Sequence, residues 1–160
     1  MTQATFWDFA VDLYARPGVE TACLTLQNGV GLDVDMLLFC LWLGGRGEGI
    51  APILDSALAA SEEWQAVVAP LRAARRALKM LPEDRGDTAR LRIAVKACEL
   101  DAERFEIEAL AGLAGGEHAP VAPGRALAEA NLKRYFSSLN IAPDLLGRGE
   151  VLRILNAAFH

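Results

Sequence analysis

Apolar positions recur at three- and four-residue steps along this chain, and nowhere alternate with period two for long enough to specify a strand. The pattern predicts an all-α fold, an irregular bundle of about six or seven helices. One segment marks its centre. Met36 to Leu43 is a run of eight apolar residues, entered through Asp33 and Asp35 and released into the glycine-rich stretch Gly44 to Gly49. A helix apolar on every face has no side to give to water and must be wrapped by other helices.

The remaining elements follow from spacing and punctuation. Thr5 caps a first helix to about Ala15, with Asp8 near its positive end and Phe6, Phe9, Ala10, Leu13 and Tyr14 on one face. Pro17 opens a second, with Val19, Ala22, Cys23 and Leu26 as its stripe and Asn28-Gly29 as its stop. Asp33 caps the central helix. Gly44 to Gly49 is expected to be irregular, as a hinge, lid or connector, because glycine loses the most backbone freedom on ordering. Pro52 starts a short helix to about Ala60, and Ser61 caps a longer one that carries Trp64, Val67, Val68, Leu71, Leu78 and Leu81 and kinks at Pro70.

After a polar turn at Pro82–Asp87, the longest helix is expected from Asp87 or Thr88 to about Leu113. Leu91, Val95, Cys98, Ala102 and Phe105 form its packed stripe, widened by Ile93, Leu100, Ile107 and Leu110. Two amphipathic helices follow, through Leu127, Asn131, Tyr135 and Leu139, then Val151, Leu152, Leu155 and Phe159. The chain divides into a helical domain over residues 1–114, a glycine- and proline-rich linker over 115–124, and a C-terminal segment over 125–160 that docks on its own domain or swaps into a second subunit.

Composition narrows the class. At 160 residues, 52% apolar and 23% charged, the chain can build one core and is too apolar for disorder. A formal net charge of −5 disfavours non-specific nucleic-acid binding, whose affinity comes from Lys and Arg. The apolar run falls far short of the roughly 20 residues that cross a bilayer. MTQATFWDF lacks the basic-then-apolar order of a secretory signal, so a cytoplasmic location with no membrane contact is expected. Cys23, Cys40 and Cys98 lie far apart in apolar helical patterns, as reduced core thiols do. With only His118 and His160 to add, they predict no zinc site, and no cofactor is expected.

Phe6-Trp7, Tyr14 with Arg16-Pro17-Gly18-Val19, Cys23-Leu24, Leu26-Gln27, Asp33-Val34 and Leu37-Leu38-Phe39-Cys40 resemble the signature of an uncharacterised proteobacterial family of small helical proteins, labelled only as a domain of unknown function. Trp64, Val67-Val68 and the string Pro70 to Arg76 add a weaker match. The resemblance covers about Phe6 to Leu113. Asn28-Gly29-Val30-Gly31 departs from the more polar connector of that family. What the resemblance implies is a helical cytoplasmic domain; it brings no catalytic residues.

Candidate chemistry is sparse. There is no G-x-S-x-G, no Walker loop, no H-E-x-x-H and no strand-borne G-x-G-x-x-G. Arg72, Arg75, Arg76 and Lys79 share a helix face, and an antiparallel hairpin brings Arg72 level with Glu99, so ion pairs are expected there before phosphate or nucleic acid. Glu99, Glu103 and Glu106 invite comparison with the carboxylate metal sites of helical bundles, but no Glu-x-x-His is present and a solvated face is the expectation, with no metal. Asp12 and Asp35 lie beside apolar segments, where each would hold Arg16 or Arg46 or act as a base with a raised pKa. Exposed aromatics, Trp7 or Trp64, would mark a partner-binding groove.

The expected function is therefore a non-enzymatic interaction or regulatory module that meets an unidentified protein partner or a second copy of itself. The alternative is a small-ligand binder or enzyme with a pocket near Asp35 and the Gly44–Gly49 loop, drawing on Asp12, Arg16 and Arg46. A nucleic-acid contact through Arg72 to Lys79 is the least favoured.

Overall fold

The computed structural model describes residues 4–82, 85–116 and 121–160. Residues 1–3 lie outside the described residues, as do 83 and 84 of the expected polar turn and 117–120 of the expected linker, His118 among them. The described residues form seven α-helices and two 3-10 turns and contain no strand: α1 (Phe6–Tyr14), α2 (Val19–Val30), α3 (Val34–Gly45), α4 (Leu54–Lys79), α5 (Thr88–Ala111), α6 (Arg125–Ser138) and α7 (Gly149–Ala158). The all-α bundle expected from periodicity is the fold. Among the described residues no helix is long and apolar enough to cross a membrane.

α3 is the centre. Every residue from Met36 to Gly44 is buried, wrapped by Phe6 and Leu13 of α1, Val19 and Leu26 of α2, Ile107 and Leu110 of α5, Leu132 and Phe136 of α6, and Val151 and Ile154 of α7. Phe6 anchors one side, its ring 5.3 Å from those of both Phe39 and Trp42. The C-terminal segment is docked on its own chain: α6 lies along α3 and α7 along α2, and both contribute to the same core.

The glycine-rich stretch is neither hinge nor lid. Gly44 and Gly45 complete α3, and Gly44 lets α6 approach so closely that a Cβ there would lie 2.5 Å from the Ala128 backbone. The chain then turns through Gly47 at φ +79°. Its backbone is tied down by Val121 N–H donating to Gly47 O (3.1 Å) and Gly124 N–H to Gly44 O (2.9 Å). Buried Asn131 finishes the connection, accepting from Ile50 N–H at 2.9 Å and donating to Cys40 O at 3.2 Å and Glu48 O at 3.1 Å. Satisfied backbone groups offset the entropy that the composition alone counted against order.

Several boundaries move for identifiable reasons. Pro17 stays in the turn and Gly18, at φ +79°, leads into α2. Asn28-Gly29 remain helical, and Gly31, also left-handed, ends the helix by donating to Gln27 O. Pro52 sits in the 3-10 turn Ala51–Ile53, after which α4 runs unbroken through Ser61 and exposed Pro70. Ser61 does not cap a helix because its hydroxyl donates to the Asp33 carboxylate instead. On α5 the expected stripe is overturned: Leu91, Cys98 and Phe105 are exposed and only Ala102 is fully buried. The α4–α5 hairpin is longer than the body it rests on, so Leu91 in its outer part is left uncovered, while Phe105 near its base turns one ring face to Trp64 and the other side outward. Cys98 is thus a surface thiol, whereas Cys23 and Cys40 are core.

Gly44→Ala is expected to destabilise the fold by about 1–3 kcal/mol, the usual cost of overpacking a fitted contact. Gly29→Ala, at a helical site with nothing within 4 Å, should stabilise by about 0.5–1 kcal/mol. Urea denaturation of the two variants measures both signs.

Candidate functional site

A groove of about 480 Å³ opens between α1 and α2 on one side and the α4–α5 hairpin on the other, with the start of α3 as its floor. Trp7, Val11, Leu24, Leu38 and Leu100 supply apolar lining, and Arg72, Arg75, Arg76 and Lys96 supply cations. The floor is acidic. One carboxylate oxygen from each of Asp33, Asp35 and Glu106 falls within 4.8 Å of the other two.

Asp33 is held from four sides. As the α3 cap, its Oδ1 accepts from Asp35 N–H at 3.0 Å; Ser61 donates to its Oδ2; Gln65 Nε2 approaches Oδ1 at 3.4 Å; and its own N–H donates to Tyr135 Oη at 3.0 Å. Gln65 Nε2 also donates to Glu106 Oε2 at 2.9 Å. Glu106 is fully buried, and its Oε1 has no hydrogen-bond donor. The positive end of α3 favours negative charge at Asp33 and Asp35; Glu106, mid-helix on α5, has no such support.

Burial, then the hydrogen bond and charge of Asp33 and the charge of Asp35, push the Glu106 carboxyl far above the ordinary carboxylate range. Burial, then the charges of Asp33 and Glu103, raise Asp35 as well. Asp35 and Glu106 therefore keep hold of a proton that exposed carboxylates would lose. Burial also raises Tyr135 and takes the Cys23 thiol up to about 12, keeping it protonated.

Above the floor lies a satisfied ionic wall. Arg75 Nε meets Glu99 Oε2 at 2.5 Å and Arg72 Nε meets Glu99 Oε1 at 3.4 Å, while Arg72 Nη2 reaches Glu103 at 3.3 Å. Burial works against the Glu99 charge, but the two guanidiniums outweigh it and hold its carboxyl below the usual value. Glu103 is raised by burial. The expected pairing of Arg72 with Glu99 is present. The expected solvated acidic face is not: Glu99 and Glu106 are buried in the α4–α5 seam.

The other sequence candidates disperse. Asp35, Trp7, Arg72, Arg75 and Arg76 border the groove, with Arg76 Nη2 donating to Asn28 Oδ1 at 3.0 Å. Lys79 lies exposed, beyond the groove, on the last turn of α4. Asp12 pairs with Arg16 at 2.8 Å, and Arg16 also donates to Ala157 O, fastening α1 to α7. Arg46 lies 4.4 Å over Trp42 and 2.9 Å from Glu48, at the opposite end of α3 from Asp35. Eleven residues at about 1.5 Å each put some 16 Å between those ends, and the groove that Asp35 borders includes no residue of the Gly44–Gly49 loop. Trp64 stacks on Phe105 at 5.3 Å.

Sequence reasoning missed Ser61 and Gln65 as site residues, read Asp33 only as a helix cap, and placed Glu106 on a solvated face. The available signal was a polar seam. Ser61, Gln65, Val68, Arg72 and Arg75 step by four, three, four and three along α4, and Glu99, Ala102 and Glu106 step by three and four along α5. That is the spacing of a buried helix–helix contact, filled here with polar groups.

The retained proton sets a pH dependence. The folded protein binds more protons than the unfolded chain above the ordinary carboxylate range, so stability should fall as pH rises from about 5 to 8. One retained proton corresponds to about 1.4 kcal/mol per pH unit. Glu106→Gln should flatten that slope in EDTA-containing buffer, as read from urea midpoints at pH 5, 6, 7 and 8; an equally steep slope in the variant would assign the proton elsewhere.

No curated protein and no solved structure matches the chain. A family model described as a protein of unknown function, DUF2390, matches residues 5–110. That span takes in α1 to α4 and all but the end of α5, and with them the whole lining of the groove. The chain belongs to this family of proteins of unknown function.

Proposed function

We propose that this protein is a small-molecule-binding protein whose site is the groove between α1, α2 and the α4–α5 hairpin. The observation that carries the reading is an open groove with apolar side chains on both walls and with Asp33 and Asp35 at its floor, backed by the buried carboxyl of Glu106. Its volume, about 480 Å³, exceeds the ~300 Å³ at the lower end of small-molecule sites. The apolar lining suits the body of an amphipathic ligand, and the charged floor and wall suit its polar head. Binding is favoured over catalysis because, beside carboxylates, guanidiniums and amides, the described lining offers the Tyr14 phenol and the Lys96 amine without a hydrogen bond from either to a base.

Leu24 and Leu100 are exposed and border the groove from opposite sides. Native mass spectrometry against metabolite-sized amines, carboxylates and phosphates should give a one-to-one adduct with at least one class. The double variant Leu24→Arg/Leu100→Arg should lose it while keeping its helical circular dichroism. Absence of any adduct, or one indifferent to both substitutions, would remove the reading.

A second reading, self-association, is favoured by the outer part of the hairpin. Met80 (84% exposed), Ile93 (67%) and Leu91 (53%) present apolar surface there. The proposed occupant is a second copy of this chain. Two hairpins docked antiparallel would set exposed Arg85 and Arg90 near the tip of one beside Glu62, Asp101 and Glu108 near the base of the other. Light scattering should give twice the chain mass at about 100 µM, falling to one chain mass for Ile93→Lys; a monomeric wild type would end this reading. Nucleic-acid binding finds less support, since Arg72 and Arg75 are already engaged by Glu99 and Glu103.

A further inference from the structure

We infer that Asp33, Asp35 and Glu106 form a binding site for one divalent cation at the floor of the groove. The inference rests on the groove reading only for its route from solvent. Two independent observations carry it. Oxygens from three carboxylates on two different helices converge to within 4.8 Å of one another, a separation that a single ion with metal–oxygen distances of about 2.1–2.5 Å can bridge. In addition, Glu106, with none of its side chain exposed, leaves Oε1 without any hydrogen-bond donor. A buried carboxylate oxygen left unsatisfied costs folding free energy, and native proteins rarely leave one without a ligand to meet it.

Chemistry selects the class of ion. The donors are all hard oxygens, with no thiolate and no imidazole among them, which favours Mg²⁺, Mn²⁺ or Ca²⁺ over Zn²⁺ or Cu²⁺. Charge points the same way. Three carboxylates carry up to three negative charges, of which a divalent ion offsets two and an organic ammonium only one. The surroundings hold the ligands in place. Ser61 and Gln65 bond to Asp33, and Gln65 bridges to Glu106, so the carboxylates from α3 and α5 are aligned by one pair of α4 side chains. The groove side of the floor is left for water or for a polar group of the bound molecule, so a cation here would take part in recognising the ligand's head.

The test is Mn²⁺ titration of the full chain followed by electron paramagnetic resonance, which reads loss of the free-ion signal. One Mn²⁺ per chain is expected, displaced by excess Mg²⁺ or Ca²⁺. Glu106→Gln and Asp35→Asn should each weaken binding by roughly tenfold or more, because ligand charge sets affinity at oxygen sites. Asp12→Asn, at an exposed acid paired with Arg16, should leave it unchanged. A rise in wild-type Tm with Mn²⁺, absent in Asp35→Asn, gives a second readout if Glu106→Gln fails to fold. Wild-type protein that binds none of the three ions at millimolar concentration, or binding indifferent to both site substitutions, overturns the inference. Metal-independent adducts that disappear in Leu24→Arg/Leu100→Arg would then show that the groove reading survives alone; metal binding without adducts would show the reverse.

Discussion

The complete burial of α3 is the constraint on which the rest of this structure depends. A helix with Met36 to Gly44 all inside leaves no face for solvent, so the other helices are recruited to cover it and its ends must be accommodated in the interior as well. The C-terminal end is solved by glycine. Gly44 admits the α6 backbone, and Asn131 satisfies the chain that leaves. At the N-terminal end, the cap and first turn carry Asp33 and Asp35 inward, and that end becomes the floor of the groove.

Carboxylates brought inside need partners, and the α4–α5 seam supplies them. Ser61 and Gln65 on α4 reach Asp33, while Arg72 and Arg75 on the same helix engage Glu99 and Glu103 on α5. The hairpin is therefore joined along its inner length by polar and ionic contacts more than by an apolar stripe. A buried ion pair adds little net stability over a well-packed apolar pair but is costly to break. Glu106 is the exception in this seam, since no donor group reaches one of its oxygens. The same packing that makes the core continuous thus concentrates three carboxyl groups at one place, two of them bordering the groove.

Much of this was legible in the residues. The Asp33 cap, the start of α1 at Thr5, the burial of Cys23 and Cys40, and the pairing of Arg72 with Glu99 all follow from local chemistry and helical spacing. Other expectations failed where a residue type has two uses. Ser61 has the chemistry of a cap and serves as a donor inside a helix. Glu106 has the composition of a surface and lies in a seam. Gly44 and Gly45 suggest a flexible connector, yet they finish a helix because a neighbouring backbone needs the space. Leu91 has the spacing of a packed stripe on the part of a hairpin that outruns its support.

The sequence by itself determined the helical class, the central position of Met36–Leu43 and the family-like region, because periodicity and capping act within a few residues of the chain. Only the tertiary structure decided which polar residues meet. Asp33 and Glu106 are 73 positions apart, and no local rule links them; they converge because α3 must be buried and the α4–α5 hairpin is one of the surfaces that bury it. Carboxylates that each have an ordinary place on their own helix become a site when packing denies them water and brings their charges together.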